Sequence, residues 1–327
     1  MTRLFRRQLL PLAAGLVGTA TAVGAQTRYP VRPIRMVVPF PPGSATDTMM
    51  RVLGPRMAQP LGQPIVVDNR SGAGGVTGSE VIARAPKDGY SLLMAAASSH
   101  GILPAMRRDM PYDAVRDFTP IGLACTSTNF IVVHPSLPVH NLQELIAYSK
   151  AQPQGLSFAA GSRGSSNGLA GEMLALRTGA KLTHIPYNNI GQGVTDVVAG
   201  HIPVLIYTVA ILPHVQTGRL RAIAVTSANR QIQAPDVPTA VEQGAEGVIA
   251  DSWFGLFGPA GIPDEVRDRV GEALAEALAD SDISTRLVNQ GLAPRHLAPE
   301  AFRAFVQAEI AKWAEVSRAS GLTLEGG

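Results

Sequence analysis

Cysteine is almost absent from this chain. Cys125 is the single one, so no disulfide can form within one molecule. It lies in the apolar run Gly-Leu-Ala-Cys-Thr, which predicts a buried structural thiol rather than a reactive one. Aromatic residues make up only 5%, which leaves little surface for stacking bases or sugars. The seven histidines are scattered, and no His, Cys or carboxylate spacing suits a metal ion, so no metal or other cofactor is expected. No hydrophobic run after residue 26 exceeds the one before it, which is itself too short to span a membrane.

Excess charge is also lacking. The full chain carries a formal +3. Residues 1–26 read as an export signal: Arg3, Arg6 and Arg7 precede the apolar core Leu9–Val17, and small residues lead to a cut near Ala25/Gln26. Removing those three arginines and no acid leaves the basic residues equal in number to the 25 acidic ones. The mature chain therefore offers no basic patch for nucleic acid or a membrane surface.

What is present is ample apolar content, 46% of 327 residues, enough for two lobes. The organising stretch is residues 34–47. Ile34, Met36, Val37 and Val38 predict a buried strand, which Pro39, Pro41, Pro42 and Gly43 break. Ser44, Thr46 and Asp47 are helix-start residues, and Met49, Met50, Leu53 and Met57 follow at helical spacing. A strand, a stiff loop and a helix N-terminus offer free N–H groups and partial positive charge to an anion.

That pattern recurs. Ile65–Asp68 predicts a second strand; Gly72, Gly74 and Gly78 after it read as a tight turn, because a dinucleotide fingerprint would need its third glycine one place earlier. Ser91–Ala95 is a strand, with Ala96–His100 a small polar loop at its end. Ile121–Ala124 and Phe130–Val133 are strand-like, and Cys125–Asn129 between them is a candidate crossing to a second lobe. Leu156–Ala160, then Gly161–Gly168, then a helix bearing Leu169, Met173, Leu174 and Leu176 repeat the opening arrangement. His184–Asn189 is a third strand–loop, Pro203–Tyr207 and Leu220–Thr226 are strands, and Asp251–Phe257 is a strand returning to the first lobe. Helices are predicted over 263–279, 283–289 and 299–317, with Phe305, Ile310 and Trp313 as core residues.

One motif points elsewhere. Gly164-Ser165-Ser166-Asn167-Gly168 fits Gly-x-Ser-x-Gly between a predicted strand and helix, the setting of a hydrolase nucleophile. Ser166 would then need an acid, Asp196 or Asp251, and a base such as His296. Arg163 stands where the strand before such a serine is usually apolar, and His296 falls among predicted helices, so the anion-binding reading is preferred.

The chain resembles the periplasmic solute receptors of tripartite tricarboxylate transporters, the Bug/TctC type. The resemblance runs from about Tyr29 to Leu322. It rests on Tyr-Pro-Val-Arg-Pro-Ile-Arg at 29–35, Val-Pro-Phe-Pro-Pro-Gly at 38–43 with Thr46-Asp47, and Asp68 through Gly75. Asp88-Gly89-Tyr90, His184-Ile185-Pro186-Tyr187, Leu220 through Thr226 and Ser252 through Phe257 complete it.

The resemblance implies an α/β, two-lobed periplasmic-binding-protein (type II, Venus flytrap) fold. Lobe 1 would comprise 27–125 and 252–327, and lobe 2 126–251. It implies a monomeric, non-enzymatic receptor in the periplasm that closes on a small carboxylate and presents it to a membrane permease; a sensory receptor of the same fold is the alternative. Carried over, the first-lobe contacts are Phe40, Pro41, Gly43, Ser44, Ala45, Thr46 and Asp47, with Ser98 on a second loop. The second-lobe contacts are Gly161, Ser162, Arg163, Gly164, Ser165, Ser166 and Asn167, with Tyr187 and Thr208 closing the wall. Thr46, Ser162 and Ser165 are expected to offer hydroxyls. Ser44-Ala45, Arg163, Gly168, Asn188 and Tyr207-Thr208 depart from the family's usual residues. The last pair lacks the acid that reads an amino group, and Arg163 is expected to pair with a second carboxylate, which favours a dicarboxylate.

Overall fold

The computed structural model describes residues 29–187 and 189–320. The export-signal reading of 1–26 and the departure at Asn188 lie outside the described residues.

Two sheets organise the chain. The first has six strands: β1 (Ile34–Val38), β2 (Ile65–Asn69), β3 (Ser91–Ala96), β4 (Phe118–Ser127), β10 (Ser252–Pro259) and β11 (Ala293–Leu297), in the order β11-β4-β10-β3-β1-β2. The second has five: β5 (Asn129–Val133), β6 (Leu156–Ala160), β7 (Leu182–Pro186), β8 (Val204–Thr208) and β9 (Arg221–Val225), in the order β7-β6-β8-β5-β9. Inner strands such as β1, apart from the half-buried Arg35, and β5 are buried on both faces, as mixed sheets covered by helices require.

Helices α1 (Ala45–Leu61), α2 (Val76–Ala83), α3 (Leu103–Met106), α8 (Asp264–Ala279) and α9 (Ser281–Asn289) belong with the first sheet. Helices α4 (Leu142–Ala151), α5 (Ser166–Thr178), α6 (Ile190–Val198) and α7 (Leu212–Gln216) belong with the second. The chain leaves the first sheet at Thr128 and returns at Asp251. These two crossings lie side by side, because Ser127 pairs with Ser252 and the Asn129 amide donates to the Ala250 carbonyl at 2.7 Å. The strand β4 is longer than its apolar centre predicts and runs on through Cys125 to Ser127, which narrows the first crossing to one residue. Cys125 is fully buried, and burial pushes its thiol up to about 12, so it is inert.

The last helix, α10 (Pro299–Ser320), ties the halves together. It packs on α3 and β4 of the first lobe and on α5 of the second. Trp313 is fully buried in a core that continues from Val37 and Leu93 to Met173 and Phe158. Glu309 accepts both indole N–H groups, from Trp253 at 3.2 Å and Trp313 at 3.3 Å. Arg177 of α5 pairs with Glu315 at 2.8 Å. Residues 299–320 thus pack mainly on the first lobe and reach across to α5 of the second.

Two sequence readings need correction. Residues 96–100 are expected to be a small polar loop; Ala96 instead ends β3, and Ser98–Ile102 form one wide helical turn that leads directly into α3. His296 lies on the edge strand β11, not among helices; Pro294, Arg295 and His296 gave that strand no apolar alternation to read.

Candidate functional site

Strand directions decide where the two loops lie. β1, β3 and β4 run the same way, since β10 is antiparallel to both β3 and β4 and β1 is parallel to β3. β4 ends at the first crossing, so the C-terminal ends of β1 and β3 also face the second lobe. In the second sheet β5 starts at the crossing and runs away from it; β8 is antiparallel to β5, with Thr208 opposite Asn129. β6 and β7 run with β8, so their C-terminal ends face the first lobe. Loops 39–44 and 161–165, Ser98, Tyr187 and Thr208 therefore all lie on the rims that the two sheets turn toward each other. Ligands of open α/β sheets bind at such carboxyl ends.

The two loops share one construction. In the first, Ser44 N–H donates to Pro41 O at 3.1 Å, closing a turn with Pro42 and Gly43 at its centre. Gly43 has φ +81°, the left-handed conformation that a type II turn demands of its third residue and that glycine adopts without strain. In the second, Ser165 N–H donates to Ser162 O at 2.9 Å, around Arg163 and Gly164. A serine then caps each helix: Ser44 Oγ accepts from Asp47 N–H at 3.3 Å, and Ser165 Oγ accepts from Gly168 N–H at 3.2 Å. The carbonyl before each turn accepts from a side chain on the neighbouring strand. Asn69 Nδ2 reaches Phe40 O at 3.0 Å, and His184 Nε2 reaches Gly161 O at 3.0 Å.

The caps satisfy only the third N–H of each helix. The N–H groups of Ala45, Thr46, Ser166 and Asn167 have no hydrogen-bond partner among the described residues. They stand at the positive ends of α1 and α5, where an anion is stabilised. Thr46 is buried, and its hydroxyl likewise makes no hydrogen bond among the described residues.

Several expected contacts turn out to be engaged within their own lobe. The Asp47 carboxylate accepts from Gly43 N–H at 2.9 Å, Arg51 Nε at 2.9 Å and Asn69 Nδ2 at 3.0 Å. Burial pushes this carboxyl up, but those donors and the Arg51 charge outweigh it and hold it at about 2. Asp47 thus holds the loop, and its negative charge is neutralised before an anion arrives. Ser165 Oγ donates to Ser162 O at 2.6 Å, and Ser98 Oγ to Gly74 O at 2.9 Å. The Tyr187 hydroxyl donates to Asp196 at 2.6 Å; that bond and burial push it up to about 12. Asn167 is buried, with Oδ1 accepting from Gly161 N–H at 3.3 Å and Gly168 N–H at 3.0 Å. Pro41, Ser162 and Arg163 are exposed, while Phe40, Gly164 and Thr208 are half-buried.

Sequence reasoning missed the supports Arg51, Asn69 and His184 as part of the site. Ser44-x-x-Asp47 is a capping-box pattern, a signal for the inward use of Asp47. Gly168 also had a structural reason: a Cβ there would meet His184 Cε1 at 2.6 Å.

The residues named for the hydrolase alternative are not brought together: the Asp251 carboxylate lies at the return to β10, where it accepts from the Thr226 hydroxyl at 3.5 Å. Ser166 begins a regular helix, and Ala73 is the one non-glycine residue with positive φ among the described residues, so the strained turn of a nucleophile is missing. Asp196 is engaged by Tyr187 and Gln192, and His296 lies in the other sheet beyond β4. No group of His, Cys, Asp and Glu among the described residues could hold a metal ion, and no described helix is long and apolar enough to cross a membrane.

Two α/β lobes joined by adjacent crossings, with two helix-capping loops at facing rims, define a solute-binding protein of the flytrap class. The chain belongs to the TctC family: the family model described as "Tripartite tricarboxylate transporter family receptor" matches residues 49–322. It is similar to Protein BugT of Bordetella pertussis, 36% identical over 327 residues and covering 99% of each chain. Among solved structures it is similar to Rhodopseudomonas palustris Rpa4515 with adipate, at 31% identity and TM-score 0.79, covering 90% of this chain and 99% of that one. It is also similar to MatC (Rpa3494) from the same organism with bound malate, at 31% identity and TM-score 0.75, covering 88% and 99%. The chain is a periplasmic-type solute receptor of this family.

Proposed function

We propose that this receptor closes on a small organic acid and delivers it to the membrane permease of a tripartite tricarboxylate transporter. The observation that carries this reading is the matched set of N–H groups at Ala45, Thr46, Ser166 and Asn167, one pair per lobe, that find no partner among the described residues. A carboxylate has two oxygens and accepts about four hydrogen bonds, so it can be held by both pairs only when the lobes are closed. Such contacts favour the closed form through interactions absent from the open one. Thr46 adds a hydroxyl; Phe40, Tyr187 and Thr208 form walls; Ser162 and Gly164 border the second pair. Adipate and malate in the related structures are acids of the expected class. The remaining elements of the reading are export by the segment 1–26 and action as a monomer in the periplasm.

Proline tests the main-chain contacts selectively. Ala45 and Ser166 are first helical positions, where proline is favoured and no hydrogen bond is lost. Ser44 and Ser165 before them are already extended, at ψ 160° and 150°, as a residue preceding proline must be. Ala45→Pro and Ser166→Pro should each weaken acid binding by about 10–100-fold, the worth of a hydrogen bond to a charged group, with the melting temperature unchanged. Calorimetric titration with a dicarboxylate panel measures this. Unaltered affinity in both folded variants contradicts the proposal.

A further inference from the structure

A cavity of about 270 Å³ lies against the second loop, lined by Arg163, Leu169, Glu172, Leu182, Thr183 and His184 from the second lobe and by Met106 of α3 from the first. It is therefore a space between the lobes, adjoining the end of α5. Its chemistry is incomplete. Arg163 is exposed and closes no ion pair among the described residues, unlike Arg35, Arg51 and Arg177.

His184 supplies the second gap. Its Nε2 lies 3.0 Å from the Gly161 carbonyl, which can only accept, so Nε2 carries the proton. Burial lowers the affinity of this imidazole for a second proton. Nδ1 is then a bare acceptor. It faces Glu172 Oε1 at 3.9 Å, another acceptor when ionised. One donor atom set beside this pair can lie within hydrogen-bond distance of both acceptors, and none of the described residues supplies it. Burial also pushes the Glu172 carboxyl up, against the opposing pull of Arg163. Its neutral form could complete a bond to a bound hydroxyl, and its ionised form could take an ammonium group.

We propose that this cavity reads the far end of the solute: Arg163 takes a second carboxylate, and His184 Nδ1 with Glu172 takes a hydrogen-bond donor carried beside it. The preferred solute is a short dicarboxylate bearing a hydroxyl or ammonium group. The inference rests on the receptor reading above, in which the first carboxylate is held by the two helix ends. It also gives the chain an acid, Glu172, in place of the one lacking at Tyr207-Thr208.

The test is calorimetric titration of the mature protein with propionate, succinate, malate and aspartate. Wild type should bind malate or aspartate about tenfold more tightly than succinate, one added hydrogen bond, and succinate more tightly than propionate. Which of malate and aspartate gains identifies the donor. Arg163→Met should weaken the dicarboxylates by about 10–100-fold and leave propionate unchanged. Glu172→Leu should remove the advantage over succinate while succinate itself binds as before. Equal losses for one and two carboxylates, or no gain from the hydroxyl or ammonium, overturn the inference and leave the receptor reading standing. Failure of every acid on wild type overturns both.

Discussion

The capping loops of the two lobes are built alike and charged differently. Each is a strand, a hydrogen-bonded four-residue turn closed by serine, and a helix, and each has its leading carbonyl held from the neighbouring strand. In the first loop Pro42 occupies the second turn position and Asp47 locks the turn from the helix; in the second, Arg163 and Gly168 stand at the corresponding places. The first loop is prebuilt, with its ions already paired, and offers only main-chain amides and Thr46. The second is held by neutral bonds from Asn167 and His184 and leaves Arg163 without an ion pair among the described residues. On the proposed reading, one loop supplies a general grip on a carboxylate, while the other distinguishes between acids.

Asp47→Ala breaks the prebuilt loop most severely. It leaves the Gly43 N–H, the Asn69 amide and the Arg51 charge without their acceptor, and should cost about 3 kcal/mol of stability, with binding weakened as well. Denaturant unfolding measures the first and titration the second. His184→Leu, the counterpart in the other lobe, removes one neutral hydrogen bond and its stacking on Phe158, and should cost about 1–2 kcal/mol. A loss at His184 as large as at Asp47 would erase the contrast.

Acid should separate the loops next. Asp47 is depressed from 3.8 to about 2, so its stabilisation is complete above pH 3.8 and fades as pH falls toward 2. His184 is lowered from 6.5 by burial, so the unfolded chain takes up the proton first and stability falls as pH drops below 6.5. Between pH 6.5 and 4 the amides of loop 161–165 should therefore lose hydrogen-exchange protection before those of loop 39–44. The smallest expected effect is Pro42→Ala. It frees the unfolded chain and should cost about 0.4–1 kcal/mol, with binding little changed, as denaturant midpoints would register.

The opening unit was legible because its signals are local: buried β residues, Pro-Pro-Gly, then Ser44 with an apolar helical stripe. The same grammar at 156–176 located the second loop. What sequence could not supply was the pairing between distant residues. Asp47 looked available to a ligand until Asn69, twenty-two residues on, and Arg51 were brought to it by β2 and the first turns of α1. His184 was visible as a family marker, but its place beneath Gly161 depends on β6 and β7 being neighbours. The edge strand β11 carries too many polar residues to show its periodicity. Helix α10 reads as amphipathic from sequence, yet its contact with both lobes follows from the sheet arrangement alone.

The central claim is that helix ends of both lobes hold one acid together. Backbone ¹⁵N–¹H shifts followed during titration with malate test it directly. The account predicts that the amides of Ala45, Thr46, Ser166 and Asn167 all move and saturate along a single binding curve. Shifts confined to one lobe, or absent from all four while the acid binds, contradict it.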